Sequence, residues 1–167
     1  GNIIHTLMAP LSSVEVTLAI ILAAITRSII ITVISIIVFS LIVEIHIYSI
    51  FYIFIFAFLG SFILGAVGFI AGLWAEKFDH MATVTNFIIT PLSFLSGVFY
   101  SVDRLPSFFQ LISKVNPFFY MIDGFRFGFL GISDGSINFG LIYLTILSVV
   151  VWLISYYLFK TGYKIKS

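Results

Sequence analysis

IFYIFIFAFLGSFILGAVGFIAGLW, residues 50–74, decides the fold. It lies inside a charge-free run from 45 to 75, long enough to cross about 30 Å of hydrocarbon as a helix. Apolar residues occur on every side of it, without the alternation of a barrel strand, so it reads as a lipid-embedded helix. Three further charge-free runs lie at 28–43, 80–102 and 135–159. Together they predict spans at about 22–43, 50–74, 82–100 and 138–159. The composition agrees. Of 167 residues, 61% are hydrophobic and 9% charged, too few charges to cover a water-facing surface. A soluble domain, a disordered chain and a nucleic-acid binder are thereby excluded, and a net charge of +1 predicts no polyanion partner. The absence of cysteine excludes disulfides and thiolate chemistry.

The charges mark the span ends. Lys77 and the tail residues Lys160, Lys164 and Lys166 fall on one side of a four-span topology, and Arg104, Lys114 and Arg126 on the other. The lysine tail abuts a span, so it places both termini of the chain in the cytoplasm. Trp74, Tyr156 and Tyr157 then stand near the inner interface, and Tyr48, Phe99 and Tyr100 near the outer one.

At the N-terminal end, Ile3, Ile4, Leu7 and Met8 recur at helical spacing in a short amphipathic helix that stops near Pro10. Residues 1–12 are therefore set apart from a membrane unit at 13–167. Ser12 and Glu15 have the spacing of a capping box, opening a helix that runs to about Val43. Its first turns are expected below the bilayer, with Arg27 near the inner boundary, as a snorkelling anchor or facing a polar passage. Within the second span, Ala57, Ser61, Gly65, Gly68 and Gly72 form a small-residue stripe that invites close helix packing, inside one subunit or between two. Glu76, Asp79 and His80 crowd the following turn; they read as a solvated cap rather than a metal site. Pro91 removes a ladder hydrogen bond in mid-span and predicts a kink near Phe87.

Residues 101–137 are too apolar for an ordinary loop. Leu105 to Val115 reads as a short helix with Pro106 at its first position, Asn116-Pro117 breaks it, and Phe118 to Leu130 is a second piece below spanning length. Asp123 and Arg126 are three apart and share a helix face. The fold class is all-α and polytopic: four transmembrane helices plus two short re-entrant or interfacial helices, about 105–115 and 118–130, on the outer side. Those two helices read as a gate or as a lid without substrate contact. No phosphate-binding loop, H-E-x-x-H or G-x-S-x-G motif is present.

The stretch PLSFLSGVFYSVDRLPSFFQLISKVNPFFYMIDGFRFGFLG, residues 91–131, resembles the signature of ABC-2 type transporter permeases. Its elements are Pro91-Leu92, Ser96-Gly97-Val98-Phe99-Tyr100, Leu105-Pro106, Asn116-Pro117 and Asp123 with Arg126. LMAPLSSVEV, residues 7–16, is similar to the family's cytoplasmic segment between the second and third spans. Ile20 departs from the pattern, standing where a polar or basic residue is often found. The resemblance implies six spans per subunit, so the four here would be the third to sixth of a longer chain that begins before Gly1. It also implies a second permease copy and a separate ATPase subunit that carries ATP and Mg, with no cofactor on this chain. Segment 1–12 would be the end of the coupling helix, with His5, Leu7 and Met8 against the ATPase. Pro91, Gly97, Asn116, Pro117, Asp123 and Arg126 would form the kink and outer gate. The implied activity is export of an amphiphilic, polysaccharide, lipid-linked or drug-like substrate from the bacterial cytoplasm. A membrane-embedded enzyme using His or Asp at the interface, or a non-transporting scaffold, are the alternatives.

Overall fold

A computed structural model describes residues 11–75, 78–98 and 106–162. Of the described residues 82% are helical, and none is in a strand. The chain is a polytopic membrane protein. Helix α1 is Ser13–Ser40 and α2 is Ile50–Trp74. A broken helix follows: α3 (Phe78–Val84), a π turn (Thr85–Ile89) and α4 (Thr90–Phe94). Two short helices, α5 (Ser107–Val115) and α6 (Pro117–Leu130), precede α7 (Ile137–Lys160). Three of these, α1, α2 and α7, are long and apolar enough to cross a membrane. The fourth expected span, 82–100, is the broken helix: it begins earlier, at Phe78, and has ended by Leu95. The capping box opens α1 as expected, with the Ser12 amide donating to Glu15 at 2.6 Å and the Glu15 amide to Ser12 Oγ at 3.3 Å.

Helix α2 is the axis of the bundle, touching α1, α6 and α7. Phe56, Leu59 and Ile63 of α2 bury against Phe119, Tyr120 and Met121 of α6 and Leu144 of α7. A second cluster joins Ile21 and Ile25 of α1 to Ala66 of α2 and Val151 of α7. The Ser155 hydroxyl, fully buried, lies 2.9 Å from the Val151 carbonyl and 3.4 Å from that of Ala66, a polar stitch between α7 and α2.

The register of α1 on α2 corrects one expectation. A Cβ on Gly65 would lie 2.9 Å from the Ala24 Cβ and 3.7 Å from the Ile21 Cα, so these turns are in direct contact. The two helices run antiparallel through a short connection. Three residues beyond Ala24, Arg27 is therefore level with about Phe62, the middle of α2. The start of α1 is level with the end of α2. The first turns of α1 thus lie alongside the last turns of α2, and Arg27 is level with the middle of that apolar helix rather than with its end. Helix length alone does not reveal this, because it leaves the sliding of α1 along α2 open. The register is set where Gly65 lets α1 approach closely.

The small-residue stripe divides along its length. Gly65 meets α1, Ala57 and Ser61 are half-buried, and a Cβ on Gly68 or Gly72 would meet nothing within 4 Å. Packing inside one subunit therefore accounts for Gly65 and leaves Gly68 and Gly72 exposed on an open face.

Candidate gate at the hairpin and the broken helix

Helices α5 and α6 meet in an open hairpin whose tip is Asn116-Pro117; beyond the tip they do not pack along each other. Gly128 faces Ile53, Gly124 faces Phe56, and Met121 faces Gly60. This antiparallel run carries α6 from the start of α2 to its middle, about 20 Å at 1.5 Å per residue. The hairpin tip thus reaches about half the depth of the bundle. Gly124 and Gly128 make the approach possible. A Cβ on Gly124 would fall inside the Phe56 ring, and one on Gly128 would come within 2.5 Å of the Ile53 Cγ1 and 2.8 Å of the Ile53 nitrogen.

A chain that turns at such depth must satisfy its backbone internally. The end of α5 does so completely. Asn116 N–H donates to the carbonyls of Ile112 (3.0 Å) and Ser113 (3.1 Å), and Lys114 and Val115 accept from the hydroxyls of Tyr120 (2.8 Å) and Tyr143 (2.7 Å). Asn116 Oδ1 accepts from Phe118 N–H at 3.0 Å, capping α6, with Pro117 at its first position where no donor is needed. Pro106 caps α5 from outside rather than standing at its first position. At the far end of α6, Gly131 at φ +68° donates to Phe127 at 2.8 Å. Ser49 and Tyr48 amides, just before α2, donate to Gly128 (2.8 Å) and Phe129 (3.2 Å).

Pro91 breaks the ladder of the neighbouring span as expected, and the structure shows how. The ring has no N–H for the Phe87 carbonyl, and one turn before it the helix widens into the π turn Thr85–Ile89. The Thr90 amide and its Oγ1 (2.9 Å) both donate to the Thr85 carbonyl, and Ser93 Oγ reaches Ile89 at 2.8 Å. The helix then stops, and Gly97 turns the chain at φ +81°. Stopping leaves orphan carbonyls, and the hairpin supplies the donors: Asn116 Nδ2 to Leu92 at 2.6 Å and Ser113 Oγ to Leu95 at 2.9 Å. Ser113 and Asn116 are both buried. These two side-chain bonds join the broken helix to the hairpin tip. Replacing Asn116 with Ala strands the Leu92 carbonyl and the Phe118 amide, at about 1–3 kcal/mol for each group left unpaired. The thermal midpoint of the full-length protein in detergent should fall.

Asp123 fastens the other end of the hairpin. It is 2% exposed, and its Oδ1 accepts from Arg126 Nη2 (2.6 Å) and the Asp134 amide (2.9 Å) while its Oδ2 accepts from the Gly135 amide (2.9 Å). Arg126 also reaches Asp134 Oδ2 at 2.9 Å. The i,i+3 spacing indicated the Asp123–Arg126 pair. Asp134 and the loop amides were missed, since nothing in the local pattern assigns a loop eleven residues away to this carboxylate. Ser113 and the two tyrosines were missed for the same reason. Of the sequence-predicted residues, Asn116, Pro117, Asp123 and Arg126 come together in the hairpin, and Pro91 and Gly97 flank the helix end that it caps. Ala57, Ser61, Gly65, Gly68 and Gly72 lie on α2, away from it. His5, Leu7 and Met8 lie outside the described residues.

Comparison with known proteins places this architecture. The profile of the ABC-2 type transporter family matches residues 1–130. The inner membrane transport permease YadH of Escherichia coli strain K12 is 40% identical over 111 residues, 65% of this chain and 43% of that protein. Nodulation protein J of Rhizobium leguminosarum bv. viciae is 32% identical over 90 residues, 54% of this chain and 35% of that protein. The matched segment thus spans less than half the length of these relatives. No solved structure gives a significant match. With most of its length under one family profile, the chain belongs to the ABC-2 type transporter family.

Proposed function

We propose that this chain is part of the permease of an ABC exporter, carrying an amphiphilic, polysaccharide, lipid-linked or drug-like substrate out of the bacterial cytoplasm. ATP and Mg are held by a separate nucleotide-binding subunit, and this chain binds no cofactor. Family membership supports the transporter class, and the similarity to YadH, an inner membrane transport permease, supports the inner membrane. In this reading both termini of the chain are cytoplasmic and the hairpin end faces outward. The carrying observation is the joint between hairpin and broken helix. No residue from Thr85 to Phe94 is buried, and Phe87 is 77% exposed, so this element is the least packed of the bundle. Weakly packed elements are the ones that move. Motion of the broken helix, released at Leu92 and Leu95, would open and close an exit that the hairpin shields.

The open face at Gly68 and Gly72 is suited to a second permease copy, whose backbone could approach there. Segment 1–12 is assigned to the ATPase contact, through His5, Leu7 and Met8. Its test is a pull-down of the ATPase by the full-length permease. Leu7→Asp with Met8→Asp places two charges on the apolar face of the amphipathic helix and should abolish co-purification while the permease still inserts. Undiminished recovery of the ATPase contradicts the assignment.

A further inference from the structure

Helix α1 carries a polar line that neither the hairpin nor the helix packing uses. Arg27, level with the middle of α2, has no ion-pair or hydrogen-bond partner among the described residues. On the same face follow Ser28, Thr32 and Ser35, at four- and three-residue steps. Thr26 and Ser40 of α1 bond back to the carbonyls of Leu22 (2.8 Å) and Ile37 (2.7 Å), as membrane hydroxyls normally do. The hydroxyls of Ser28, Thr32 and Ser35 find no partner among the described residues. All four side chains line two adjoining cavities. One, about 560 Å³, holds Arg27, Ser28 and Ser61. The next, about 640 Å³, runs from Ser35 past Phe125 and Phe129 to Glu44 and His46. Ile31 and Thr32 belong to both, so they form one groove.

An unpaired guanidinium at mid-membrane is costly, and such residues mark sites where a counter-charge arrives. We infer that this groove binds an anionic amphiphile, with its acid group on Arg27 and its apolar body lying toward Phe125 and Phe129. Charge fixes the polarity: Arg27 is the one Lys or Arg among the described residues lining the groove, and Glu44 at the opposite mouth, beside His46, repels an acid. The unpartnered hydroxyls would solvate ester or hydroxyl groups near the acid. The groove is mostly apolar beyond Ser35, which suits a hydrocarbon body and disfavours a bare inorganic anion. The inference deepens the export reading by naming a ligand class, but binding is measured without ATP, so loss of binding and loss of transport are separate results.

The test is photolabelling of the full-length protein with its ATPase in nanodiscs, using a photoreactive palmitate and the matching uncharged alcohol. Palmitate should label α1 and α6 along the groove, and the alcohol much less. Arg27→Gln should lower palmitate labelling about tenfold or more, the scale of one lost charge-assisted bond, and leave alcohol labelling unchanged. Arg27→Lys should retain most of it. Thr32→Leu keeps the charge and fills the groove where its two cavities meet; it should reduce labelling by both probes, whatever the Arg27 variants do to folding. Weaker labelling when ATP and Mg are added before irradiation identifies the anion as cargo, and unchanged labelling identifies it as a resident lipid, on the same site. Equal labelling by acid and alcohol, or palmitate labelling unchanged in Arg27→Gln, overturns the proposal.

Discussion

Replacing Asp123 with Ala is expected to be the most damaging single substitution in the described structure. The carboxylate is 2% exposed and holds Arg126 and the amides of Asp134 and Gly135. Its removal leaves two amides without their acceptor and half-strips a partly buried guanidinium. Breaking a buried pair from one side costs about 3–5 kcal/mol. Arg126 keeps Asp134 as a partner, which places the expected loss toward the lower end of that range. Asp123→Asn preserves shape and one acceptor oxygen, so it should be milder. The measurement is the thermal midpoint of the full-length protein. The Ala variant should melt well below wild type, the Asn variant between, and hydrogen exchange at 131–136 should rise in both. An Ala variant as stable as wild type would show that the 131–136 loop is held by other contacts.

Gly128→Ala comes second. The added methyl group would stand 2.5 Å from the Ile53 Cγ1 and 2.8 Å from the Ile53 nitrogen, and the latter is backbone in a buried turn of α2. The side chain could turn aside; the backbone cannot. Overpacking of this kind costs about 1–3 kcal/mol and sometimes more. The displacement also pulls Gly128 and Phe129 away from the amides of Ser49 and Tyr48. Gly68→Ala is the matched control, with both variants melted as detergent-separated monomers so that the face proposed for a second copy is free. The same methyl group on the same kind of helix meets nothing within 4 Å there. A destabilised Gly128→Ala beside an undisturbed Gly68→Ala is the expected pair of midpoints. Equal effects would mean that helix propensity, not contact, governs both.

The contrast between these glycines also shows what a sequence can and cannot reveal here. The spans were legible because hydrocarbon imposes a length and forbids charge, and residues 50–74 obey both. The hairpin was legible because 118–130 is apolar but too short to span, and Asn116-Pro117 can only be a break. The kink was legible from Pro91, since a missing donor has a fixed consequence one turn upstream. Spacing located Gly65, Gly68 and Gly72 as a stripe, yet spacing is blind to which of them has a neighbour. Gly124 and Gly128 carry the closest contacts of the described glycines, and nothing in their spacing marks them. The depth of Arg27 was hidden for a related reason. It depends on how α1 slides along α2, which Gly65 and Ala24 settle through contact. Bonds such as Asn116 to Leu92, twenty-four residues apart, answer to the fold and leave no local trace.

The central claim is that the joint between the hairpin and the end of the broken helix must open for transport. Ser113 Oγ lies 2.9 Å from the Leu95 carbonyl, so the two residues are in contact and suit a trial disulfide. This chain has no cysteine of its own. Leu95→Cys with Ser113→Cys, in a full-length permease without other thiols, reconstituted with its ATPase in vesicles, therefore gives a reversible lock. Transport should stop when the pair is oxidised and return on reduction, with each single variant insensitive to both treatments. Transport at the wild-type rate with the disulfide fully formed would contradict the account.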